Sequence, residues 1–287
     1  MDVTFAELVD LKPADDGTFL ALPADRSSGP RIFGGQLVGQ ALAAAARTVA
    51  AERPPHSLHG HFLHAGTPDE PIEYRVTSLR DGRAQSVRQV LAVQDDPLFL
   101  LTASFAVRPS GGVLEHQVPQ APPIDPDAVP TLEETFAASE PGFREWFTGH
   151  ILPKPIDFRF VERPARDYVL TGDAGPLGQE LLVRVRDDLA DDPATHASGL
   201  AYFSDMFLLS SALHPHRAMI GKPGLRVASL DHAVWFHGEA RTDEWLRYRM
   251  TSDWAGEGRG LCRGEIFDAR GRLIATVVQE GLIKPSA

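Results

Sequence analysis

Apolar positions along this chain recur with two periods. Between Gly34 and Glu52 the stretch GGQLVGQALAAAARTVAAE brings Leu37, Ala41, Ala44, Ala45 and Val49 near one face of a helix, with Gly34 and Gly35 at its start. A second helical stretch, DPATHASGLAYFSDMFLLSSAL, opens on Asp192, which can cap, and Pro193, which suits a first turn. Other segments read as strands: PIEYRVTSLR, AQSVRQVLAV and LFLLTASFAV early in the chain, WLRYRMTSDW, RGLCRGEIF and RLIATVVQEGLI late in it. The turns RDGR, DD, AGEG and DARG between them suit antiparallel hairpins. One helix followed by an antiparallel sheet, made twice, predicts an α+β fold in which each sheet wraps its own helix.

The two sets of segments are an internal repeat. Tyr74 and Tyr248 lie 248 − 74 = 174 positions apart, and the same shift superposes Phe62 on Phe236, Asp69 on Asp243, Arg75 on Arg249, Ser78 on Ser252 and Thr102 on Thr276 without a gap. Between the copies, RPSGGVLEHQVPQAPPIDPDAVP has too many prolines and glycines for regular structure over most of its length. The expected organisation is an N-terminal unit over 1–108, a proline-rich linker over 109–150 and a C-terminal unit over 151–287.

Composition narrows the function. A chain of 287 residues with 43% hydrophobic content can bury a sizeable core. No run approaches the roughly 18 apolar residues of a membrane span, and the opening MDVTFAELVD is acidic where a secretory signal is basic, so a cytoplasmic protein is expected. A formal charge of −11 argues against nucleic acid as a partner. The single cysteine, Cys262, excludes an intrachain disulfide, and its alternating surroundings predict a buried, inert thiol.

Several stretches, in order and spread over nearly the whole chain, closely resemble the acyl-CoA thioesterase II family: RIFGGQLVGQAL, HSLHGHFLHAG, SLRDGR, LTASFA, SDMFLLSSALHPH, SLDHAVWFH and TVVQEG. The resemblance implies a double hotdog fold and hydrolysis of fatty acyl-CoA to free fatty acid and CoA. It also implies a homodimer or homotetramer and no cofactor beyond the CoA carried by the substrate. In that family a carboxylate, a Thr or Ser and a Gln hold and activate a water; by motif these fall on Asp205, Ser229 and Gln279, with Ser where Thr is commoner.

Read without the resemblance, the same residues leave alternatives open. Asp205 lies 205 − 192 = 13 residues after the cap, on a stripe with Ser198, Ala201, Leu208 and Ala212. A carboxylate there needs a partner, and an arginine, a backbone amide or a second helix start would serve as well as a catalytic role. Gln279 alternates with Leu273, Ala275 and Val277 on an apolar face, where a structural amide fits equally. Ser229 shares a face with Val227 and Asp231, which makes Asp231 a second carboxylate candidate of lower rank. Under the repeat shift Ser229 meets Pro55 and Gln279 meets Phe105, so one working site per chain is expected.

The substrate's chemistry adds candidates. Gly34 and Gly35 are the expected oxyanion donors, because glycine allows close approach and a helix start favours negative charge. Arg80, Arg83, Arg259 and Arg263 are candidates for the CoA phosphates. There is no GxSxG nucleophile elbow, and GEGRG lies between strands, where a nucleotide loop has no helix to open. His59 and His61 alternate on one strand without an adjacent carboxylate cluster, which disfavours a metal site. A hotdog enoyl-CoA hydratase, which pairs an Asp with a His, is the rival enzyme, with His196 and His232 as its test residues; an idle acyl-CoA-binding module is the other rival.

Overall fold

The computed structural model describes residues 3–22, 29, 31–109, 111, 114–118, 122–137, 141–221 and 224–285. Among them the helices are α1 (Phe5–Leu8), α2 (Gly34–Ala46), α3 (Leu132–Phe136), α4 (Pro141–His150), α5 (Ala165–Thr171) and α6 (Pro193–Ser204). The strands of the first half are β1 (Lys12–Pro13), β2 (Thr18–Ala21), β3 (Pro55–Phe62), β4 (Ile72–Asp81), β5 (Gln85–Val93) and β6 (Pro97–Ala106). Those of the second half are β7 (Ile156–Phe160), β8 (Gly178–Val185), β9 (Leu225–Ser229), β10 (Asp231–Phe236), β11 (Leu246–Gly256), β12 (Arg259–Phe267) and β13 (Leu273–Pro285).

The two expected sheets are fused into one of 13 strands, ordered β1-β2-β4-β5-β6-β3-β10-β13-β12-β11-β8-β7, with β9 paired to the end of β13. The join is the antiparallel pair β3–β10, in which Ser57 faces Trp235 and His61 faces Asp231. Fusion removes what would be two exposed edges, whose unpaired backbone groups invite aggregation. Each half carries one long buried helix, α2 on the first and α6 on the second, and the order of strands in one half mirrors the other. This is the double hotdog architecture.

The helices pack against each other with ends reversed, so that the start of α2 meets the end of α6. Two glycines one turn apart on α2 permit the approach. A Cβ on Gly35 would drive into the Tyr202 carbonyl oxygen, and one on Gly39 would lie 3.0 Å from the Ser198 carbonyl oxygen. The repeated tyrosines have matching work. Tyr74 donates to Gln40 Oε1 on α2 at 2.7 Å, and Tyr248 donates to the Ser204 carbonyl at the end of α6 at 2.6 Å, each fully buried. The shift of 174 therefore holds for the strands.

It fails for the helices. Their starts differ by 193 − 34 = 159 positions, so the second copy holds 174 − 159 = 15 extra residues between helix and strands. The lengthened connection from α6 to β10 carries 3-10 turns at Leu208–Ala212 and His214–His216 and the short β9. It begins at Asp205.

The stretch expected as linker is irregular only in part. Its second half forms α3 and α4, and Phe136 and Phe147 stack with centroids 4.4 Å apart against Phe160 of β7, so this segment docks on the C-terminal half. Some of the proline-rich run lies outside the described residues.

At the start of α6 the predicted cap is present: Asp192 accepts from Ala194 N at 3.3 Å and Thr195 N at 3.0 Å. Replacing Asp192 by Ala leaves those amides unpaired and should remove about 1 kcal/mol of stability, while Asp192→Ser retains most of it. A thermal melt reads this as a fall of about 2–4 °C for the Ala variant; equal melting of both variants would show that the cap contributes nothing.

Candidate active site

Asp205 stands where α6 ends. It is the C-terminal cap of the helix, and the chain leaves the helix through Phe207, whose φ of 61° lies in the left-handed region. For a bulky residue that conformation costs on the order of 1–3 kcal/mol. Two contacts offset it. The Phe207 ring sits between Phe158 and Phe160, at 5.3 and 5.5 Å, and its carbonyl accepts from the buried Gln179 amide at 2.6 Å. The stop is therefore held by tertiary packing rather than by a glycine or proline.

The carboxylate is 9% exposed, and its two oxygens differ. Oδ1 accepts from Ser229 Oγ at 3.0 Å and from Gln279 Nε2 at 2.8 Å; the same amide donates to Ser229 Oγ at 2.5 Å. Oδ2 accepts no hydrogen bond among the described residues and faces the first turn of α2, where a Cβ on Gly34 would lie 2.8 Å from it. That helix start has no side-chain cap. The Gly34 and Gly35 N–H groups, which have no partner among the described residues, and the positive end of the helix dipole thus border the open oxygen. The Phe62 ring, stacked on Phe99 at 4.8 Å, forms an apolar wall beside Gly34.

Ser229 reaches this point because strand alternation breaks. Ser229 pairs with Gly281 and Ala233 with Val278, so four steps on one strand face three on the other. The extra residue is a bulge at Leu230, the device that re-aims side chains beside many active sites. Asp231 consequently leaves the face it was expected to share with Ser229. Its Oδ1 accepts from the Glu280 backbone N–H at 2.7 Å, a structural bond.

Comparison with known proteins identifies the family. Residues 153–282 match the acyl-CoA thioesterase family and residues 22–106 the acyl-CoA thioesterase N-terminal domain. Acyl-coenzyme A thioesterase 8 of Rattus norvegicus is 35% identical over 98% of this chain and 89% of its own length. Acyl-CoA thioesterase 2 of Haemophilus influenzae is 33% identical over 96% of both chains. Among solved structures, acyl-CoA thioesterase II TesB2 of Mycobacterium marinum is 35% identical, with a TM-score of 0.76 over 99% of this chain and 98% of that one. The chain belongs to the acyl-CoA thioesterase family. It is a thioester hydrolase.

The hydrolase contains a second location related to the site by the repeat. There Pro55 and Phe105 face each other across β3 and β6, in the places of Ser229 and Gln279. A groove of about 360 Å³ runs past Pro54, Pro55, His196 and Leu200 at the start of α6. The Asp192 side chain already occupies the amides of that helix start, so the groove has neither a counterpart of the Ser229 and Gln279 pair nor free helix donors among the described residues. Among the described residues the trio is assembled once.

The four arginines are not gathered at the carboxylate. Arg88 bonds the Arg80 carbonyl at 3.1 Å and Thr48 Oγ1 at 2.9 Å, which puts Arg80 and Arg83 beside the far end of α2, about 20 Å of helix from Gly34. Arg259 is paired with Glu280 at 3.1 Å and Glu257 at 3.4 Å, and Arg263 with Asp253 at 3.3 Å. Cys262, opposite Gln279 in the ladder, is buried, and burial pushes its thiol up to about 11, which disfavours the nucleophilic thiolate.

Neither histidine of the hydratase reading pairs with Asp205. His196 is at the other end of α6, where Nδ1 meets Thr242 Oγ1 at 3.2 Å, and His232 touches Gln279 and Ser204 instead. Ser204 and Gln179 are supporting residues that the sequence did not single out. Ser204 opens the SDMFLLSSALHPH stretch beside Asp205, which was its only signal, and Gln179, between Gly178 and Glu180, lies in no motif.

Proposed function

We propose that this hydrolase cleaves fatty acyl-CoA to free fatty acid and CoA, with a water activated by Asp205. The observation that carries the reading is the asymmetric carboxylate: Oδ1 is tied by two donors, while Oδ2 is open against the uncapped start of α2. A water at Oδ2 loses its proton to the carboxylate as its oxygen attacks the thioester carbonyl. The negative charge that develops on the carbonyl oxygen is met by the Gly34 and Gly35 amides. Collapse breaks the C–S bond, and the CoA sulfur leaves with the proton. Ser229 and Gln279 were expected to hold the water; bonded as they are to Oδ1, their role here is to hold the carboxylate. The Phe62 ring beside Gly34 is the apolar surface that the first carbons of the acyl chain would meet, and Arg80 and Arg83 remain candidates for the distant phosphates. The setting is a cytoplasmic homodimer or homotetramer in fatty acid metabolism.

Release of free thiol from acyl-CoAs of several chain lengths tests the reading. Thiol release supports hydrolysis, water addition to an enoyl-CoA without thiol release favours the hydratase, and binding without either favours an idle carrier. Ser229→Ala removes one charge-assisted hydrogen bond to the Asp205 carboxylate, so the rate should fall about ten- to a hundredfold, whereas Ser229→Thr keeps the hydroxyl and should match the wild type. Equal rates for the Ala variant would remove Ser229 from the site.

A further inference from the structure

We propose that His232 is a positioning residue whose neutral imidazole, protonated on Nδ1, fixes the Gln279 amide so that its N–H groups face Asp205 and Ser229. This deepens the reading of Asp205 as the base and rests on it. A carboxylate only accepts hydrogen bonds, so the Gln279 group at 2.8 Å from Asp205 Oδ1 must be the NH₂. Its carbonyl oxygen then points the other way, 3.1 Å from His232 Nδ1. That oxygen cannot donate, so Nδ1 must carry a hydrogen. His232 is fully buried, and burial lowers its pKa, favouring the neutral ring. Nε2 is then an acceptor, and its partner at 2.8 Å is the Ser204 hydroxyl, which donates.

Every bond in the chain Ser204, His232, Gln279, Asp205 thus runs in one direction, dictated by the carboxylate at its end. The Ser204 hydroxyl also lies 3.0 Å from the Ala201 carbonyl. It has one proton, and the neutral imidazole claims it over the shorter distance. Ser204 itself is anchored, since its carbonyl accepts from Tyr248. Without the Nδ1–H, only the bonds to Asp205 and Ser229 hold the Gln279 amide against a half-turn, which would set its oxygen against the carboxylate.

Two substitutions separate the nitrogens. The Asn side-chain nitrogen lies as many bonds from Cβ as His Nδ1 does, and the Gln nitrogen reaches toward Nε2. On a wild type shown first to release thiol, His232→Asn should keep kcat within about threefold, while His232→Gln and His232→Phe should lose about ten- to a hundredfold in kcat with KM unchanged. Loss of thiol release from the wild type itself would instead overturn the parent reading. Nitrogen NMR of the labelled wild-type chain, with His232 assigned by its absence in the Asn variant, reads the tautomer without reference to activity and does not depend on the Phe variant folding. A pyrrole-type Nδ1 beside a pyridine-type Nε2 supports the proposal. An Nε2–H tautomer, an imidazolium at neutral pH, or Gln and Phe variants as active as the wild type would overturn it.

Discussion

Asp205→Asn should reduce kcat/KM for acyl-CoA by about 10²–10⁴, the range associated with losing a general base. The substitution is nearly isosteric. The Asn oxygen can still accept from Ser229 and Gln279, as Oδ1 does at 3.0 and 2.8 Å. Its nitrogen replaces Oδ2 beside Gly34, where it cannot take a proton from water and turns an N–H toward a helix start that already presents donors. The melting temperature should therefore change little while turnover collapses. A variant that keeps more than a tenth of wild-type activity would show that another group removes the proton. If the activity loss came with a large drop in melting temperature, the role of Asp205 would be structural, because the same hydrogen bonds would then be holding the end of α6.

What the sequence revealed of this site, and what it concealed, follows from which interactions are local. Strand alternation, hairpin turns and the Asp192 cap depend on neighbours within a few residues, and all were legible. The trio was legible through its motifs. From the residues alone, Asp205 sat on a stripe running through Leu208 and Ala212 of an unbroken helix. The helix ends because Phe158, Phe160 and Gln179, distant in sequence, stabilise a left-handed Phe207, and no glycine or proline announces it. The bulge at Leu230 is similar, since one extra residue between two paired stretches leaves no compositional trace yet separates Asp231 from Ser229. The repeat hid its own exception. Strand matches fixed the 174 shift, and only the position of α6 shows that the second copy contains the lengthened connection that starts at the carboxylate. Partner choice by the arginines was beyond reach for the same reason, because their acidic partners come from turns and neighbouring strands.

Adjacent glycines at the start of α2 should respond to alanine in opposite ways. In Gly35→Ala the new Cβ meets the Tyr202 carbonyl, a backbone atom of α6 that cannot move without shifting the helix, together with the Phe33 ring. Overpacking of this kind costs about 1–3 kcal/mol or more, so the melting temperature should fall by roughly 5–10 °C, with activity per folded molecule reduced as the helices separate. In Gly34→Ala the Cβ meets only side-chain ends: Asp205 Oδ2 at 2.8 Å and the Phe62 ring at 3.1 Å. Both can give way, and alanine favours the helix by up to about 1 kcal/mol over glycine. Stability should therefore hold. Giving way, however, swings the open carboxylate oxygen from its place beside the helix donors, and a displacement approaching 1 Å costs up to about a hundredfold in rate. A stable but slow Gly34→Ala beside an unstable Gly35→Ala is the pattern that the asymmetric carboxylate requires. Should Gly34→Ala keep full activity, the space between Oδ2 and the start of α2 is not where the thioester is attacked.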